Sequence, residues 1–223
     1  MIDIVVPVLN EAAGWPALQR RLAALAAYDE VKVWVVDGGS HDGTATLADQ
    51  SGLAVLHSQH GRARQMNTGA AQAHGEVLLF LHADTTLPDH WLDAIRAGLD
   101  TGAVWGRFDV TIEGQSPMLK VVAFLMNWRS RLSGIATGDQ ALFMRRSAFD
   151  AVRGFPDQPL MEDIEISKRL LRLSRPACLR ARVATSGRRW DSRGVWRTIF
   201  LMWRLRFAYW RGHSATDLAR AYR

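Results

Sequence analysis

One short apolar run that ends in a carboxylate constrains this chain more than any other stretch. Residues 77–81 read Val-Leu-Leu-Phe-Leu, and His82, Ala83 and Asp84 follow directly. An uninterrupted apolar run of this length is typical of a strand buried on both faces of a parallel sheet. Ligands of open α/β sheets bind just beyond the carboxyl ends of such strands, so Asp84 is a candidate site residue. Asp84 is also compatible with a capping role at the next predicted helix.

The first hundred residues alternate between strand and helix patterns. Four apolar stretches, at residues 2–9, 31–36, 53–56 and 77–81, are separated by segments of helical character. This alternation predicts an α/β fold with a mostly parallel sheet flanked by helices. Further strands are predicted at 103–112, 141–144 and 181–184, and the helices at 11–27, 44–51, 61–73, 91–99, 118–132, 147–154, 162–173 and 195–210.

The domain organisation follows from length and composition. The chain has 223 residues, enough for one sizeable α/β domain, and no repeat or low-complexity linker divides it. We expect a single structural unit, with a main domain at residues 1–190 and a helical C-terminal appendage at residues 191–223. Cys178 is the one cysteine, which excludes an intramolecular disulfide and a cysteine-built zinc site.

The charge and the apolar runs bear on partners and location. A formal net charge of +6 favours anionic partners, such as nucleotides, phosphates, nucleic acid or a lipid surface. The first residues lack the basic and apolar regions of a signal peptide, and no apolar run reaches the roughly 18 residues that span a bilayer. We expect a cytoplasmic protein, and a peripheral location at the inner face of the membrane remains open.

Four polar clusters fall at predicted strand ends or at the start of a helix. They are Asn10-Glu11 after the first strand, residues 37–42 after the second, His82 to Asp84 after the fourth, and Glu162-Asp163 before a helix. Each cluster has an ordinary structural explanation as a turn or as a helix N-terminus. Their order along one chain is much less expected by chance.

In this order the clusters resemble the motifs of the inverting, nucleotide-sugar-dependent glycosyltransferases of family 2, which have the GT-A fold. Residues 4–11 are similar to the family's opening strand and loop, and residues 35–44 to its second motif. Residues 82–84 stand in the place of the family's Asp-X-Asp, and residues 161–163 match its Glu-Asp. Arg188-Arg189-Trp190 is similar to the Arg-Trp of many relatives.

Further stretches resemble one part of the family more closely. Residues 61–67, 138–140 and 186–190 are similar to a small soluble bacterial subgroup, some of whose members carry an arsenosugar-biosynthesis label. Two positions depart from the family pattern. Gly38 replaces one of two adjacent acids, and His82 replaces the first acid of Asp-X-Asp. Three roles remain open for His82: a metal ligand, a ribose or phosphate contact, and a structural residue.

The resemblance implies a metal-dependent inverting transferase that moves a sugar from a nucleotide diphosphate sugar, with UDP favoured, to an acceptor hydroxyl. It implies Asp84 as the ligand of Mn²⁺ or Mg²⁺, Asp163 as the general base, and Glu162 as its catalytic neighbour. The donor contacts that it implies or that the positions suggest are Pro7, Leu9, Asn10, Glu11, Asp37, Gly39, Arg62, Arg64, Asn67, His82 and Ala83. The candidate acceptor or diphosphate contacts are Asp139, Gln140, Arg188, Arg189 and Trp190.

The last predicted helix, at residues 195–210, combines arginine with tryptophan, phenylalanine and leucine, which is the composition of an interfacial helix. Docking on the domain, dimerisation and peripheral membrane contact all fit this composition. Two other functions also compete with the transferase: a catalytically degenerate nucleotide-sugar-binding protein and a basic nucleic-acid-binding protein. We expect no nucleic-acid partner, because the acidic clusters at the strand ends would repel phosphate without a metal. A dehydrogenase is disfavoured because no Gly-X-Gly-X-X-Gly follows the first strand.

Overall fold

The computed structural model describes residues 1–222. The strands are β1 (Ile2–Val8), β2 (Val31–Asp37), β3 (Ala54–His57), β4 (Val77–Phe80), β5 (Thr85–Thr86), β6 (Trp105–Glu113), β7 (Leu142–Arg145) and β8 (Ala177–Ser186). The helices are α1 (Trp15–Ala26), α2 (Thr44–Asp49), α3 (Arg62–Gln72), α4 (Trp91–Asp100), α5 (Met118–Ser133), α6 (Arg146–Ala151), α7 (Glu162–Leu170), α8 (Arg188–Arg193), α9 (Val195–Trp210) and α10 (Ala215–Tyr222). Two 3-10 turns lie at Ala12–Gly14 and Gly138–Gln140.

The strands form one mixed sheet in the order β3-β2-β1-β4-β7-β6-β8-β5. Strands β3, β2, β1 and β4 are mutually parallel, and β6 is parallel to β8. Strand β7 runs antiparallel to both of its neighbours, and β5 runs antiparallel to β8. Helices cover both faces, so the predicted α/β class with a mixed sheet and C-terminal helices is confirmed.

The two faces of the sheet have separate apolar cores. Along β1, Ile4 and Val6 belong to the cluster on one face, and Val5 belongs to the cluster on the other. This alternation is the two-residue period of a strand buried on both sides. A third, smaller cluster joins α7 to the last two helices through Ile164, Leu205 and Leu218. Within residues 1–222, no helix is long and apolar enough to cross a membrane.

Several predicted boundaries were wrong. The first helix begins at Trp15 rather than at residue 11, because Pro16 occupies its first turn, where the missing N–H costs nothing. Strand β8 covers Ala177–Ser186 rather than 181–184. The prediction was too short because alternating arginines obscure the apolar pattern of this strand, which pairs with β6 across a register shift. Strand β5 and helix α10 were not predicted.

The crevice for a ligand opens where β1 extends beyond the end of its pairing with β4. The pairing of β1 with β4 ends at Val5 and Phe80, whereas its pairing with β2 continues to Val8 and Asp37. Pro7 therefore lies in a stretch of β1 that is paired on one side, which suits a residue without an N–H. Neighbours β2 and β4 connect to β1 on opposite sides, and such a point in an α/β sheet is where ligands bind.

A buried glutamine of α3 closes the floor of this crevice. Gln65 is 4% exposed, and its Nε2 donates to the carbonyl oxygens of Val8 and Val36, both at 2.8 Å. A Cβ on Gly38 would lie 2.7 Å from Cδ of Gln65, closer than real contacts allow. The carboxamide of Gln65 therefore occupies the space that a side chain at position 38 would need. This explains physically why Gly38 departs from the family pattern.

We predict that Gly38→Ala lowers the free energy of unfolding by about 1–3 kcal/mol, the cost of overpacking a filled interior. The measurement is urea unfolding at equilibrium. Gly14→Ala is the matched control, since its Cβ would lie 3.8 Å from the nearest atom. The double variant Gly38→Ala with Gln65→Ala should lose less stability than the sum of the two single losses, because Gln65→Ala removes the clash. Full stability of Gly38→Ala would contradict this account.

Candidate active site

The loops after β1 and β2 are tied together by side chains. Asn10 adopts a left-handed backbone with φ of 54°, and its Oδ1 accepts the N–H of His41 at 2.9 Å. The N–H of Asn10 donates to Oγ of Ser40 at 2.9 Å, and that of Glu11 donates to Oγ1 of Thr44 at 2.8 Å. Asn10 thus fixes the shape of one wall of the crevice.

Asp37 ends β2 and is 2% exposed. Its Oδ2 accepts the N–H groups of Gly39 and Ser40 at 2.9 and 3.1 Å, and its Oδ1 accepts the Ser40 hydroxyl at 2.5 Å. Gly39 has φ of +86°, a conformation that favours glycine. The carboxylate therefore organises its own turn. Its contact with a nucleobase stays a prediction, as do the donor contacts of the half-buried Pro7 and Leu9.

Asp84 follows β4 and has weak partners inside the protein. Its Oδ1 lies 3.4 Å from Oγ1 of Thr85 and 3.5 Å from Oγ1 of Thr185. Glu11 lies within range of its charge. Burial raises the pKa of Glu11, and Asp84 raises it further against the opposing charge of Arg188. Two carboxylates that repel each other at the mouth of a crevice are a setting that favours a bound cation.

The donor set fits one kind of metal site. Residues 1–222 contain no group of three or more histidine, cysteine, aspartate and glutamate side chains that could hold an ion. Mg²⁺ and related hard ions, however, are commonly bound by one or two carboxylates together with substrate phosphates. Asp84 keeps lone pairs for such a shared site. Beside it, the Ala83 carbonyl is taken up by Arg21 at 2.5 Å.

His82 connects the end of β4 to the turn at Gly138–Gln140. Its Nδ1 lies 3.2 Å from Oδ1 of Asp139, and its Nε2 is buried with no hydrogen-bond partner among residues 1–222. A Cβ on Gly138 would lie 2.4 Å from that Nε2, so the ring packs directly on the Gly138 backbone. Burial by itself would raise the pKa of Asp139. The hydrogen bond with His82 and the charge of Arg62 outweigh it and lower the pKa.

Asp163, the predicted base, lies at the start of α7 and faces the same turn. Its Oδ2 accepts the N–H of Gly138 at 3.0 Å, and its Oδ1 accepts the N–H of Ile164 at 2.8 Å. Burial, and after it the charge of Glu162, raise the pKa of Asp163 to about 6. A carboxylate with this pKa can hold or release a proton near neutral pH. The preceding Met161 has φ of 66°, a strained conformation at a candidate site.

Arg62 places a cation among the carboxylates of this site. Its Nη1 lies 3.7 Å from Oε1 of Glu162, whose side chain is buried. Burial tends to lower the pKa of Arg62, but the charges of Glu162, Asp139 and Asp163 outweigh it and raise the pKa. The structure therefore brings the predicted phosphate contact Arg62 to the predicted base. Glu162 holds Arg62 at this position.

Two other predicted donor residues of α3 hold the segment before α7. Arg64 makes a two-pronged ion pair with Asp157, at 2.8 and 2.9 Å, and a third bond to Gln59. Asn67 binds Phe155 through both ends of its amide, at 2.8 and 3.0 Å. In this structure both side chains are engaged by the protein itself. They position the segment that leads to Asp163.

Two of the predicted acceptor contacts lie beneath the site. Gln140 is fully buried, and its amide bonds to Thr137 and Asn127. Trp190 packs against the apolar cluster of the sheet. Arg188 is exposed, with its Nη2 4.0 Å from Oε2 of Glu11, and Arg189 stacks on Tyr222. For Asp139, Arg188 and Arg189, contact with an acceptor or a diphosphate stays a prediction.

Sequence reasoning missed Tyr222. The hydroxyl of Tyr222 accepts a hydrogen bond from Arg189, and Arg62, Asp139 and Asp163 all act electrostatically on it. Burial is the main cause that raises the pKa of Tyr222. A tyrosine of the last helix thus reaches the candidate site. No sequence motif marks Tyr222. It lies on α10, a helix that was not predicted.

The sequence profile described as "Glycosyl transferase family 2" matches residues 3–153. The chain belongs to this family. The matched region contains the crevice and the Asp84 loop but ends before α7. The family match therefore covers the crevice and the Asp84 loop but not Asp163, whose role stays a prediction.

Named relatives of this family 2 chain are longer than it is. Glycosyltransferase AglE of Haloferax volcanii is 32% identical over 103 residues, which are 41% of this chain and 33% of AglE. Undecaprenyl-phosphate 4-deoxy-4-formamido-L-arabinose transferase of Pseudomonas fluorescens is 28% identical over 170 residues, which are 68% of this chain and 48% of that protein. The chain spans between a third and a half of the length of these two relatives.

Solved structures show that the fold of this family 2 chain is the GT-A fold. A fragment of S. aureus TarS in complex with UDP-GlcNAc has a TM-score of 0.64 at 19% identity, over 84% of this chain and 58% of that one. The mannosyltransferase PcManGT from Pyrobaculum calidifontis, in complex with GDP-Man and Mn²⁺, has a TM-score of 0.64 at 19% identity, over 93% of this chain and 60% of that one. Both likenesses concern the fold alone.

We predict that Asp163 makes stability depend on pH. Its pKa is raised in the folded protein, so ionisation of Asp163 destabilises the fold as pH rises from about 4 to about 6. At each pH, the free energy of unfolding of the unaltered protein is subtracted from that of Asp163→Asn. This difference should be about 1–3 kcal/mol larger at pH 7.5 than at pH 4. Urea unfolding of both proteins at the two pH values measures the difference. An unchanged difference between pH 4 and pH 7.5 would show that burial does not perturb Asp163.

Proposed function

We propose that the protein is a metal-dependent inverting glycosyltransferase. It moves a sugar from a nucleotide diphosphate sugar, with UDP favoured, to an acceptor hydroxyl by a single displacement. The observation that carries the proposal is the Gly138 contact with Asp163. It holds a carboxylate of pKa about 6 beside the turn that Asp139 and His82 connect to the Asp84 loop. A base and a diphosphate site therefore flank one crevice.

Solved structures of the same fold support the donor class. TarS is described in complex with UDP-GlcNAc and with UDP, and a glucosyl-3-phosphoglycerate synthase from Mycobacterium tuberculosis in complex with Mn²⁺ and UDP. PcManGT is described with GDP-Man and Mn²⁺. By analogy, the donor here is a nucleotide diphosphate sugar. The uridine nucleotides in the complexes of two of these three proteins favour UDP.

The donor end of the crevice binds the nucleotide. Asp37 and the loop that Asn10 fixes form the nucleoside pocket, and Arg62 and Arg188 supply positive charge for the phosphates. Asp84 is the protein ligand of a divalent cation, Mn²⁺ or Mg²⁺. When bound, such an ion neutralises the charge that develops on the leaving diphosphate.

The acceptor end removes a proton. Asp163 accepts the proton of the attacking hydroxyl, and the two N–H groups that bind its oxygens keep the carboxylate in one orientation. Because Asp163 must be ionised to act, turnover should fall as the pH drops through about 6. Inversion follows from one in-line displacement, in which the sugar never bonds to the protein.

We predict that UDP binds in a metal-dependent way and that Asp84→Ala abolishes the metal dependence. Asp163→Asn is the matched control, because it should bind UDP normally yet lose at least about a hundredfold in sugar transfer, the range expected for a missing general base. Isothermal titration with UDP and GDP, each with and without Mn²⁺ or Mg²⁺, measures the first effect. Release of UDP from UDP-sugars measures the second.

Two outcomes would contradict this function. If neither UDP nor GDP binds under any metal, the crevice is not a donor site. If UDP binds with metal but Asp163→Asn retains most of its transfer, the base is misassigned. Metal-dependent binding with no transfer to any acceptor would favour the degenerate nucleotide-sugar-binding alternative, which the departures at Gly38 and His82 keep in view.

We further propose that α5 and α9 form a surface for an anionic membrane, here called the aromatic face. Each helix exposes one stripe at helical spacing, and the inner sides of both helices pack on the same apolar cluster, through Leu119 of α5 and Ile199 of α9. The aromatic face consists of Val121, Phe124, Leu125, Trp128 and Leu132 on α5 and of Trp196, Phe200, Trp203, Phe207 and Trp210 on α9.

The arginines beside the aromatic face favour an anionic lipid surface as its partner. The α9 residues of the stripe are each 60–75% exposed, an unusual display for so many large apolar side chains. A groove of about 540 Å³ next to them is lined by Arg193, Arg197 and Arg204. Exposed tryptophan and phenylalanine flanked by arginine are typical of helices that lie in an interface of anionic lipid.

We predict that the protein co-sediments with vesicles that contain phosphatidylglycerol and that high salt weakens the binding. Trp203→Ser and Trp128→Ser should each lose most of the bound fraction, because each removes an exposed anchor. Tyr28→Ser, at an exposed aromatic outside the aromatic face, is the control. A protein that ignores these vesicles but dimerises through Trp203, as shown by analytical ultracentrifugation, would make the aromatic face a twofold interface instead.

A further inference from the structure

Arg129 of α5 is partly buried, and two of its side-chain nitrogens have no partner. Both Nε and Nη2 are inaccessible to solvent and have no hydrogen-bond partner within residues 1–222. Burying charged N–H groups that bond to nothing is costly, because the lost hydration is not replaced. A ligand from outside the protein can lower this cost by accepting hydrogen bonds from the guanidinium group.

Asp109, the carboxylate that binds Arg107, is occupied by two other arginines. It accepts hydrogen bonds from Arg107, which is fully buried, and from both Nη1 and Nη2 of Arg131. The remaining donors of Arg107 go to Ser130 and to a backbone carbonyl. Arg107 and Arg131 therefore share one carboxylate, and Arg129 has no hydrogen bond to it.

Arg129 lies within electrostatic range of the candidate base. Burial lowers the pKa of Arg129, and Arg107 lowers it further. Asp163 is the one carboxylate of the described residues whose charge opposes this effect. Both oxygens of Asp163, however, already accept backbone N–H groups from Gly138 and Ile164. Arg129 therefore meets the charge of Asp163 without forming a hydrogen bond to it.

We propose that Arg129 binds an anionic group of the acceptor, a phosphate or a carboxylate near the hydroxyl that is glycosylated. This inference rests on the proposed function and names the chemical class of its acceptor. An arginine offers planar N–H donors that match two oxygens of such an anion. The anion would replace the missing partner of Arg129 and place the hydroxyl at Asp163. The acceptor side then holds its own phosphate-class subsite, separate from the diphosphate of the donor.

The surroundings of Arg129 suit an anion with an apolar tail. Phe124, Leu125, Trp128 and Leu132 are exposed on the same helix and belong to the aromatic face. A phosphate attached to a lipid could reach Arg129 from a bilayer in contact with that face. The Arg129 side chain as a whole is partly exposed, so a small soluble phosphate could approach it from water. The subsite chemistry is the same for both, so the experiment has to separate the two sources.

The test uses the full chain saturated with UDP and Mg²⁺, so that the donor subsite is filled. The probe is methyl phosphate, titrated by calorimetry at constant ionic strength. We expect binding that Arg129→Met weakens at least about tenfold, the usual effect of a lost charge-assisted pair. Arg129→Lys should give an intermediate affinity. It should also preserve the stability of the fold, since the positive charge remains. Arg96→Met, at an exposed arginine of α4 paired with Glu30, is the matched control.

Three results would overturn the subsite. The first is no binding of methyl phosphate, and the second is binding that Arg129→Met leaves unchanged. The third is a purely structural or tuning role for Arg129. In that case the variants would shift the pH at which transfer falls, through Asp163, while methyl phosphate affinity stayed constant. Confirmation requires the opposite pattern, in which affinity for the anion moves with the residue at position 129.

Two further arms complete the experiment. Octyl phosphate that binds much more tightly than methyl phosphate, with the same dependence on Arg129, would identify a lipid phosphate, and equal affinities would identify a small soluble anion. If UDP does not bind at all, the proposed function fails by itself. Methyl phosphate is then titrated without UDP, and its dependence on Arg129 still decides whether the anion subsite exists.

Discussion

The hydrogen bond from Gly138 to Asp163 is the contact on which the arrangement of the site depends. The turn at Gly138–Gln140 contacts both the end of β4, through His82, and the start of α7. Gln140 anchors this turn from below by its buried amide. The crevice built on parallel strands and the candidate base on a distant helix are thereby held in one geometry. The site is a consequence of this turn as much as of the sheet.

Helix α3 gives the second half of the site its position. Gln65 closes the crevice floor, Arg62 meets Glu162, and Arg64 and Asn67 hold the segment that precedes α7. One helix thus contacts the wall of the crevice and the segment that leads to the candidate base. Arg64, which looks like a phosphate ligand in the sequence, serves here as a support. A basic residue near a phosphate site has two uses, and only the contacts distinguish them.

Much of the fold could be predicted because its signals are local. The apolar runs at 2–9 and 77–81 give the central strands, and the polar clusters after them give the crevice. Strand β8 was predicted only at residues 181–184, because its pairing with β6 is a long-range event that its arginines disguise. The roles of Tyr222 and Arg129 were missed for the same reason. Their importance comes from what surrounds them in space, and a single sequence contains no local mark of a missing partner.

The packing of Gly38 against Gln65 has a consequence for how sequences of this kind can change. The two positions compete for one volume, so a side chain at 38 and a glutamine at 65 exclude each other. A chain with an acid at 38 must hold the ends of β1 and β2 by some means other than this amide. We therefore expect positions 38 and 65 to change together among related chains. Such a pair would sort those chains by how they build the crevice floor.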